Sequence, residues 1–328
     1  MMSLSIPQPA PGAIASMAVV ALSVGGPCTA VASPAPTYDE VEAYETIIPA
    51  TNDPADIYYP VPPANADPVQ FPLALMLQGA FVDKSAYSDF ARAVASYGFV
   101  VVVPNHERSL VNPRTGEPVV GFAPEQRQVH DVLDFVEMQE TDPTSPIAGR
   151  VDPERFALLG HSIGGYVAIS AIRGSCLPLI CTGDRFQPPP QLDVGVFYGT
   201  TFEAQARDGT FPPIENLIPI ALIAGSEDGE ANYERVVLTY EQIQNPPRAL
   251  ILVEGANHYS ITNENSDRAI NPPLLEQSEA IATIAHWTGQ FLRAHLWEDT
   301  TAFEAVYGED NDADETVTIT GQSGTAID

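Results

Sequence analysis

Six residues constrain this chain more than any others: Gly160-His161-Ser162-Ile163-Gly164-Gly165. They match G-x-S-x-G, a weak pattern alone because Gly and Ser are common. Its setting strengthens it. The apolar run 156–159 comes directly before and reads as a strand, and a helical run follows to about Arg173. A serine at such a turn sits in a strained conformation with its Oγ lifted above the sheet. Cβ atoms at the flanking glycines would collide with the neighbouring strand and helix. An ordinary strand-to-helix turn is the plainer alternative, but strand, turn and helix in this order favour a nucleophile.

A serine hydroxyl is a poor nucleophile at neutral pH and needs a base, itself oriented by a third group. In folds that carry a serine at such a turn, the chain order is Ser, acid, His. Both partners occur in that order. Asp228 follows the apolar run 218–224 in Gly225-Ser226-Glu227-Asp228, and His258 follows the run 249–253 in Gly255-Ala256-Asn257-His258. Each lies past the C-terminal end of an expected strand, where α/β sheets form their ligand crevice. The other histidines fit less well. His106 and His130 precede Ser162, His161 is the variable motif position, and His286 and His295 fall within the last expected helix. Glu227 and Asp193 compete for the acid, but Asp193 begins the preceding strand and reads as a strand-edge residue.

An oxyanion hole needs two backbone N–H groups aimed at a tetrahedral intermediate. Ile163, directly after the serine and at a helix start, is the first candidate, favoured also by the helix dipole. The second is expected from Gln78-Gly79-Ala80-Phe81, after the strand-like run at 71–77. By position Ala80 leads and Phe81 is next; a plain connecting loop is the alternative.

Apolar β-rich runs alternate with helical patterns, so the expected class is α/β with a mostly parallel central sheet and helices on both faces. Strands are expected near 42–48, 57–61, 71–77, 99–103, 156–159, 194–198, 218–224 and 249–253. Tyr87, Phe90, Ala91, Val94 and Ala95 mark one helix face, ended by Gly98. Residues 107–121 read as a loop. Pro124 is expected to open a helix with Val129, Val132, Leu133 and Val136 on its core side. Further helices are expected at 231–243 and 274–295, and 174–192 reads as an irregular Pro-rich insertion. The α/β core is thereby assigned to 33–297.

The 328 residues carry 14 basic and 43 acidic side chains, a formal net charge of −29, so no basic face is available to neutralise nucleic-acid phosphates or to seek an anionic membrane. Residues 1–32 lack any charged side chain; 13–24 is an apolar run of signal-peptide length, and Ala30-Val31-Ala32 offers a cleavage site. An exported chain, secreted or periplasmic, is therefore expected, although the leader has no Lys or Arg before its apolar run; a Pro-rich leader on an intracellular protein is the alternative. No run outside the leader reaches transmembrane length. Cys176 and Cys181 could close a small disulfide loop or remain two buried thiols. Residues 298–328 hold nine acids and no base and are expected to form a flexible acidic tail. Asp310, Asp312 and Asp314 imitate a calcium loop, but Glu315 and Gly321 occupy the positions that need Gly and Glu. No metal or cofactor is expected.

The stretch LMLQGAFVDKSAYSDFARAVASYGFVVVVPNH, followed by the GHSxGG turn, resembles the α/β-hydrolase branch of chlorophyllases, dienelactone-hydrolase-like proteins, platelet-activating-factor acetylhydrolases and polyester-degrading cutinases. The block from Gly79 to Gly98 looks most like chlorophyllases and cutinases, and the resemblance extends over about 70–295. It implies a Ser162–His258–Asp228 triad, oxyanion donors at Ala80 and Ile163, and cofactor-free hydrolysis of carboxylic esters, from small molecules to lipids or polymers. Phe81 and Tyr259 are candidates to line the substrate pocket. The chain departs from the pattern at Gln78, where many relatives have His or Pro, and at Ile163, where chlorophyllases usually have Arg and the cutinases Met. An acyltransferase using the same triad, and an inactive binding protein on the same fold, are the competing readings.

Overall fold

Four consecutive valines show how the sheet is covered. In the strand Val100–Pro104, alternate side chains point to opposite faces: Val100 and Val102 join one apolar core, Val101 and Val103 the other. Both faces are dry, so the run is continuous rather than alternating. Each fully buried valine contributes about 1.5–3 kcal/mol. Phe71–Leu77 divides in the same way, with Leu73, Leu75 and Leu77 opposed to Ala74 and Met76.

The computed structural model describes residues 35–324, apart from 112–115, 178–179, 182, 184, 205–207 and 309–315. The expected leader at 1–32, the cleavage site and the aspartates of the calcium-like run lie outside the described residues. In chain order the elements are β1 (Val41–Ile48), β2 (Asp53–Pro60), β3 (Phe71–Leu77), α1 (Ser88–Ser96), β4 (Val100–Pro104), β5 (Glu107–Val111), β6 (Pro118–Phe122), α2 (Gln128–Thr141), β7 (Val151–His161), α3 (Ile163–Ile172), β8 (Leu192–Tyr198), β9 (Ile220–Gly225), α4 (Tyr233–Glu241), β10 (Arg248–Val253), α5 (Gln277–Leu296), α6 (Thr300–Tyr307) and β11 (Val317–Gln322). Nine strands form one sheet in the order β1-β2-β4-β3-β7-β8-β9-β10-β11. From β4 through β10 every neighbouring pair is parallel. The pairings β1–β2, β2–β4 and β10–β11 are antiparallel. Val129, Val167 and Val236 bring α2, α3 and α4 into one core, while Phe90, Ile284 and Val306 bring α1, α5 and α6 into the other. This is the expected α/β architecture, with the C-terminal ends of β3, β7, β9 and β10 along one rim.

Three expectations are corrected. Residues 107–121 are not a plain loop, because β5 and β6 pair as a separate antiparallel hairpin, from Glu107 opposite Phe122 to Val111 opposite Pro118. Turn formers such as Pro113 and Gly116 dominate that stretch and hide its short arms. Helix α2 begins at Gln128 rather than at Pro124, since Gln128, Val129 and His130 first make tight-turn bonds to Glu125, Gln126 and Arg127. The segment 298–328 is not a free acidic tail throughout. Asp299 caps α6 by accepting from Thr301 and Ala302, Ala302 and Val306 are buried, and β11 extends the sheet against β10. The acidic count concealed a few apolar residues that are enough to cover an open sheet edge.

The hairpin is anchored by a buried ionic cluster. His106 Nδ1 lies 2.8 Å from Asp53 and Nε2 lies 3.2 Å from Glu125. Burial opposes a charge on His106, but the hydrogen bonds and charges of Asp53 and Glu125 outweigh it and raise its pKa to about 9. A histidine raised in the folded state stabilises fully below its unfolded pKa, about 6.5, and loses that contribution as pH rises through the folded value. Stability toward urea should therefore decline between about pH 6.5 and 9. In His106→Ala, denaturation midpoints measured across that range should lose this part of the slope. Truncation before Thr300 should expose the β10 edge and lower the thermal midpoint by about 5–10 °C, read by calorimetry.

Candidate active site

Gly164 lets the turn after β7 approach β3. A Cβ at 164 would overlap the Leu77 carbonyl, and one at 160 would lie 2.6 Å from the Gly165 nitrogen. With both absent, Ser162 is held at φ 55°, ψ −122°, a conformation unfavourable for an L-residue. Its backbone is tied down from the next strand: Ser162 N–H donates to the Tyr198 carbonyl at 3.0 Å, and the Thr200 hydroxyl donates to the Ser162 carbonyl at 2.9 Å. The serine hydroxyl is thereby presented at the sheet's C-terminal rim.

Asp228 and His258 reach it from the loops after β9 and β10. His258 Nε2 lies 2.9 Å from Ser162 Oγ, and Nδ1 lies 2.8 Å from Asp228 Oδ2. A carboxylate accepts only, so Nδ1 carries the proton and Nε2 presents its lone pair to the hydroxyl. The other Asp228 oxygen accepts from the Glu230 and Ala231 backbone N–H groups at 2.9 and 2.7 Å. Both side chains are buried, and Ser162 is partly open. Three residues spread over 97 positions thus form one hydrogen-bonded line.

Two buried bonds hold His258 from beneath. The Tyr198 hydroxyl donates to the Asn257 carbonyl, and His161 Nε2–H donates to the His258 carbonyl at 2.9 Å. Because His161 Nε2 must donate to a carbonyl, its Nδ1 is the acceptor and takes the Tyr87 hydroxyl proton at 2.9 Å. The Tyr87 oxygen in turn accepts the Gly79 N–H at 2.8 Å. One chain of hydrogen bonds therefore joins the loop after β3, the residue before Ser162 and the backbone of His258. Burial, helped by the nearby His258, holds the His161 pKa well below the ordinary histidine value, which keeps it in this neutral form. The motif's variable position gave no sign of this beyond a polar residue between Gly160 and Ser162.

The loop 78–82 offers one free donor of the two weighed. Phe81 N–H donates to the Phe122 carbonyl on β6 at 2.7 Å, so it is unavailable as an oxyanion donor. The Ala80 N–H has no such partner among the described residues. Ile163 N–H stands at the first position of α3, where no preceding turn supplies an acceptor. Gln78 is fully buried; its Nε2 donates to the Val82 carbonyl and to Asn105, and its Oε1 accepts the His106 N–H. It serves as a brace under the loop.

The remaining candidates divide. Phe81 adopts φ 60° and is 45 % exposed at the rim, beside hairpin residue Gly121. Tyr259 is buried edge-on against the His258 ring at 5.2 Å, so it packs that ring rather than lining an open wall. Cys176 and Cys181 are joined in a disulfide, with Cα atoms 5.1 Å apart, within the irregular insertion. Asp228, Glu230 and His258 bring ligand-type atoms within 4.8 Å of one another, but the Asp228 oxygens and His258 Nδ1 are already engaged as described, and a cation would have to break those bonds. A cavity of about 510 Å³ lined by Arg155, Asp193, His295 and Trp297 lies at the start of β8, the opposite end of the sheet from Ser162, and takes no part in this site.

A sheet of this order, with a serine on a sharp turn after a central strand and its acid and histidine on later loops, defines an α/β-hydrolase. Residues 41–177 match the family model of the chlorophyllases. That match covers less than half of the chain and, with the sheet order, supports an α/β-hydrolase on the branch that contains the chlorophyllases. The matched stretch carries Gly79–Phe81 and Ser162 and stops before Asp228 and His258. No protein of curated function matches the chain. No helix among the described residues is long and apolar enough to cross a membrane.

Replacing Tyr87 with Phe would leave the buried Gly79 N–H and His161 Nδ1 without their partner. Tyr87→Phe should lose about 1–3 kcal/mol of stability, the usual cost of an unsatisfied buried polar group, read as a lower urea midpoint.

Proposed function

We propose that this protein is a serine hydrolase of carboxylic esters, with Ser162 as nucleophile, His258 as general base and acid, and Asp228 as the group that orients the imidazole. The observation that carries this reading is the unbroken line from Ser162 Oγ to His258 Nε2, and from Nδ1 to Asp228. In the first step Ser162 Oγ attacks the ester carbonyl while His258 Nε2 takes its proton. Asp228 stabilises the imidazolium that forms. The Ala80 and Ile163 N–H groups hold the oxyanion. Collapse of the intermediate expels the alcohol, which receives the proton from His258. Water, deprotonated by His258, then cleaves the acyl-enzyme and regenerates the serine.

The family match supports an ester of the chlorophyllase kind, and the resemblance of the Gly79–Gly98 block to cutinases extends the candidates to lipids and polymers with an accessible carbonyl. Gln78 and Ile163 differ from the usual residues of those relatives, and both flank the oxyanion site, where they would tune which ester is taken. The apolar run 13–24 and the Ala30-Val31-Ala32 site support export, and the Cys176–Cys181 disulfide fits an oxidising compartment.

Turnover of short p-nitrophenyl esters, long-chain lipids, polyester film and chlorophyll would rank the substrates. Ser162→Ala should lower kcat by roughly 10⁴–10⁶ on whichever ester is best and abolish labelling by a fluorophosphonate probe. Undiminished activity in that variant would overturn the assignment. Product analysis with an added alcohol separates hydrolysis from acyl transfer.

A further inference from the structure

The peptide that carries the Ala80 N–H is bracketed by two pinned neighbours. On one side the Gly79 N–H is held by the Tyr87 hydroxyl at 2.8 Å. On the other, the Ala80–Phe81 peptide is gripped at both ends: its N–H donates to the Phe122 carbonyl at 2.7 Å, and its carbonyl accepts from Arg268 Nη1 at 2.9 Å. Phe81 itself adopts φ 60°, a left-handed conformation costly for an aromatic residue and kept only where surrounding contacts over-determine it. The hairpin supplies one such contact, because the Phe81 ring lies where a Cβ at Gly121 would stand. Arg268 supplies another, from a loop ten positions past His258.

Arg268 is exposed, yet among the described residues its guanidinium forms no ion pair with a carboxylate, in a chain of net charge −29. It stacks over the Tyr259 ring at 5.2 Å and reaches across to the Ala80 carbonyl. Tyr259 packs in turn against His258. The side chain therefore spans the site, from the loop that carries the base to the loop that carries a proposed oxyanion donor.

We propose that Arg268 is a positioning residue: by holding the Ala80 carbonyl, next to the Gly79 carbonyl that accepts the Val82 N–H at 3.2 Å, it completes the restraint on the direction in which the Ala80 N–H points, and so keeps the oxyanion hole formed before substrate arrives. This rests on the ester-hydrolase reading above. A charge-assisted bond to a carbonyl is stronger than a neutral one, which suits a loop that must hold a strained residue. Loosening an oxyanion donor costs transition-state binding rather than ground-state binding.

The test uses the full chain and its Arg268→Ala and Arg268→Lys variants on a short p-nitrophenyl ester, with a trifluoromethyl ketone as the tetrahedral-adduct inhibitor. Arg268→Ala should lower kcat by about ten- to a hundredfold, leave KM within about twofold, and weaken the inhibitor by the same factor as kcat. Arg268→Lys, which can still donate to the carbonyl, should recover much of the loss. The thermal midpoint should not move, because the side chain is exposed. Unchanged kcat, a loss confined to KM, or a fall in thermal midpoint that accounts for the lost activity would each overturn the proposal. A wild-type protein that neither turns over esters nor reacts with a fluorophosphonate at Ser162 would instead defeat the ester-hydrolase reading, which separates the two failures.

Discussion

Close approach of two backbones underlies the whole site. The turn after β7 comes so near to β3 that position 164 has no room for a side chain beside the Leu77 carbonyl. That approach forces Ser162 into a conformation an L-residue avoids, and the Tyr198 carbonyl and the Thr200 hydroxyl hold it there. Strain of this kind costs on the order of 1–3 kcal/mol, and two dry cores on a nine-stranded sheet can offset it. Stability gathered across the sheet is thus used at one residue, whose hydroxyl is presented outward.

The same rim also organises groups that do no chemistry. His161 faces inward, opposite in direction to Ser162, because successive residues at a strand end point to opposite sides. There it accepts from Tyr87 and donates to the backbone of His258. Tyr198 acts likewise on Asn257. Loops that lie far apart in the chain are registered against one another through fully buried polar groups. Such groups are costly if left unpaired, so they favour one arrangement of the loops over its near alternatives. The hairpin β5–β6 and Arg268 extend this registration to the outer surface, where they grip the loop carrying Ala80 and Phe81.

Much of the architecture could be read from the chain. Uninterrupted apolar runs such as 99–103 announce a sheet covered on both faces, and the turn chemistry at 160–165 announces a serine on a bend. Asp228 and His258 were legible because each follows an apolar run closely and stands in the required order. The hairpin and the C-terminal α6 and β11 were not. Their apolar residues are few and sit among turn formers or acids, so composition spoke louder than pattern. Phe81 could not be separated from Ala80 as a donor, since the difference is a single bond to a carbonyl on a hairpin that the sequence did not reveal.

Local patterning of apolar residues and glycines was enough to establish an α/β class, a strained serine and the order of its partners, because those features follow from short-range sterics and strand or helix period. Which N–H stays free, which way the His161 ring faces, and what holds His258 and the loop 78–82 in register depend on contacts between residues up to 188 positions apart. Such contacts have no signature in the chain, since nothing in the local sequence of Arg268 or Tyr87 specifies the carbonyl or ring that folding will bring beside it.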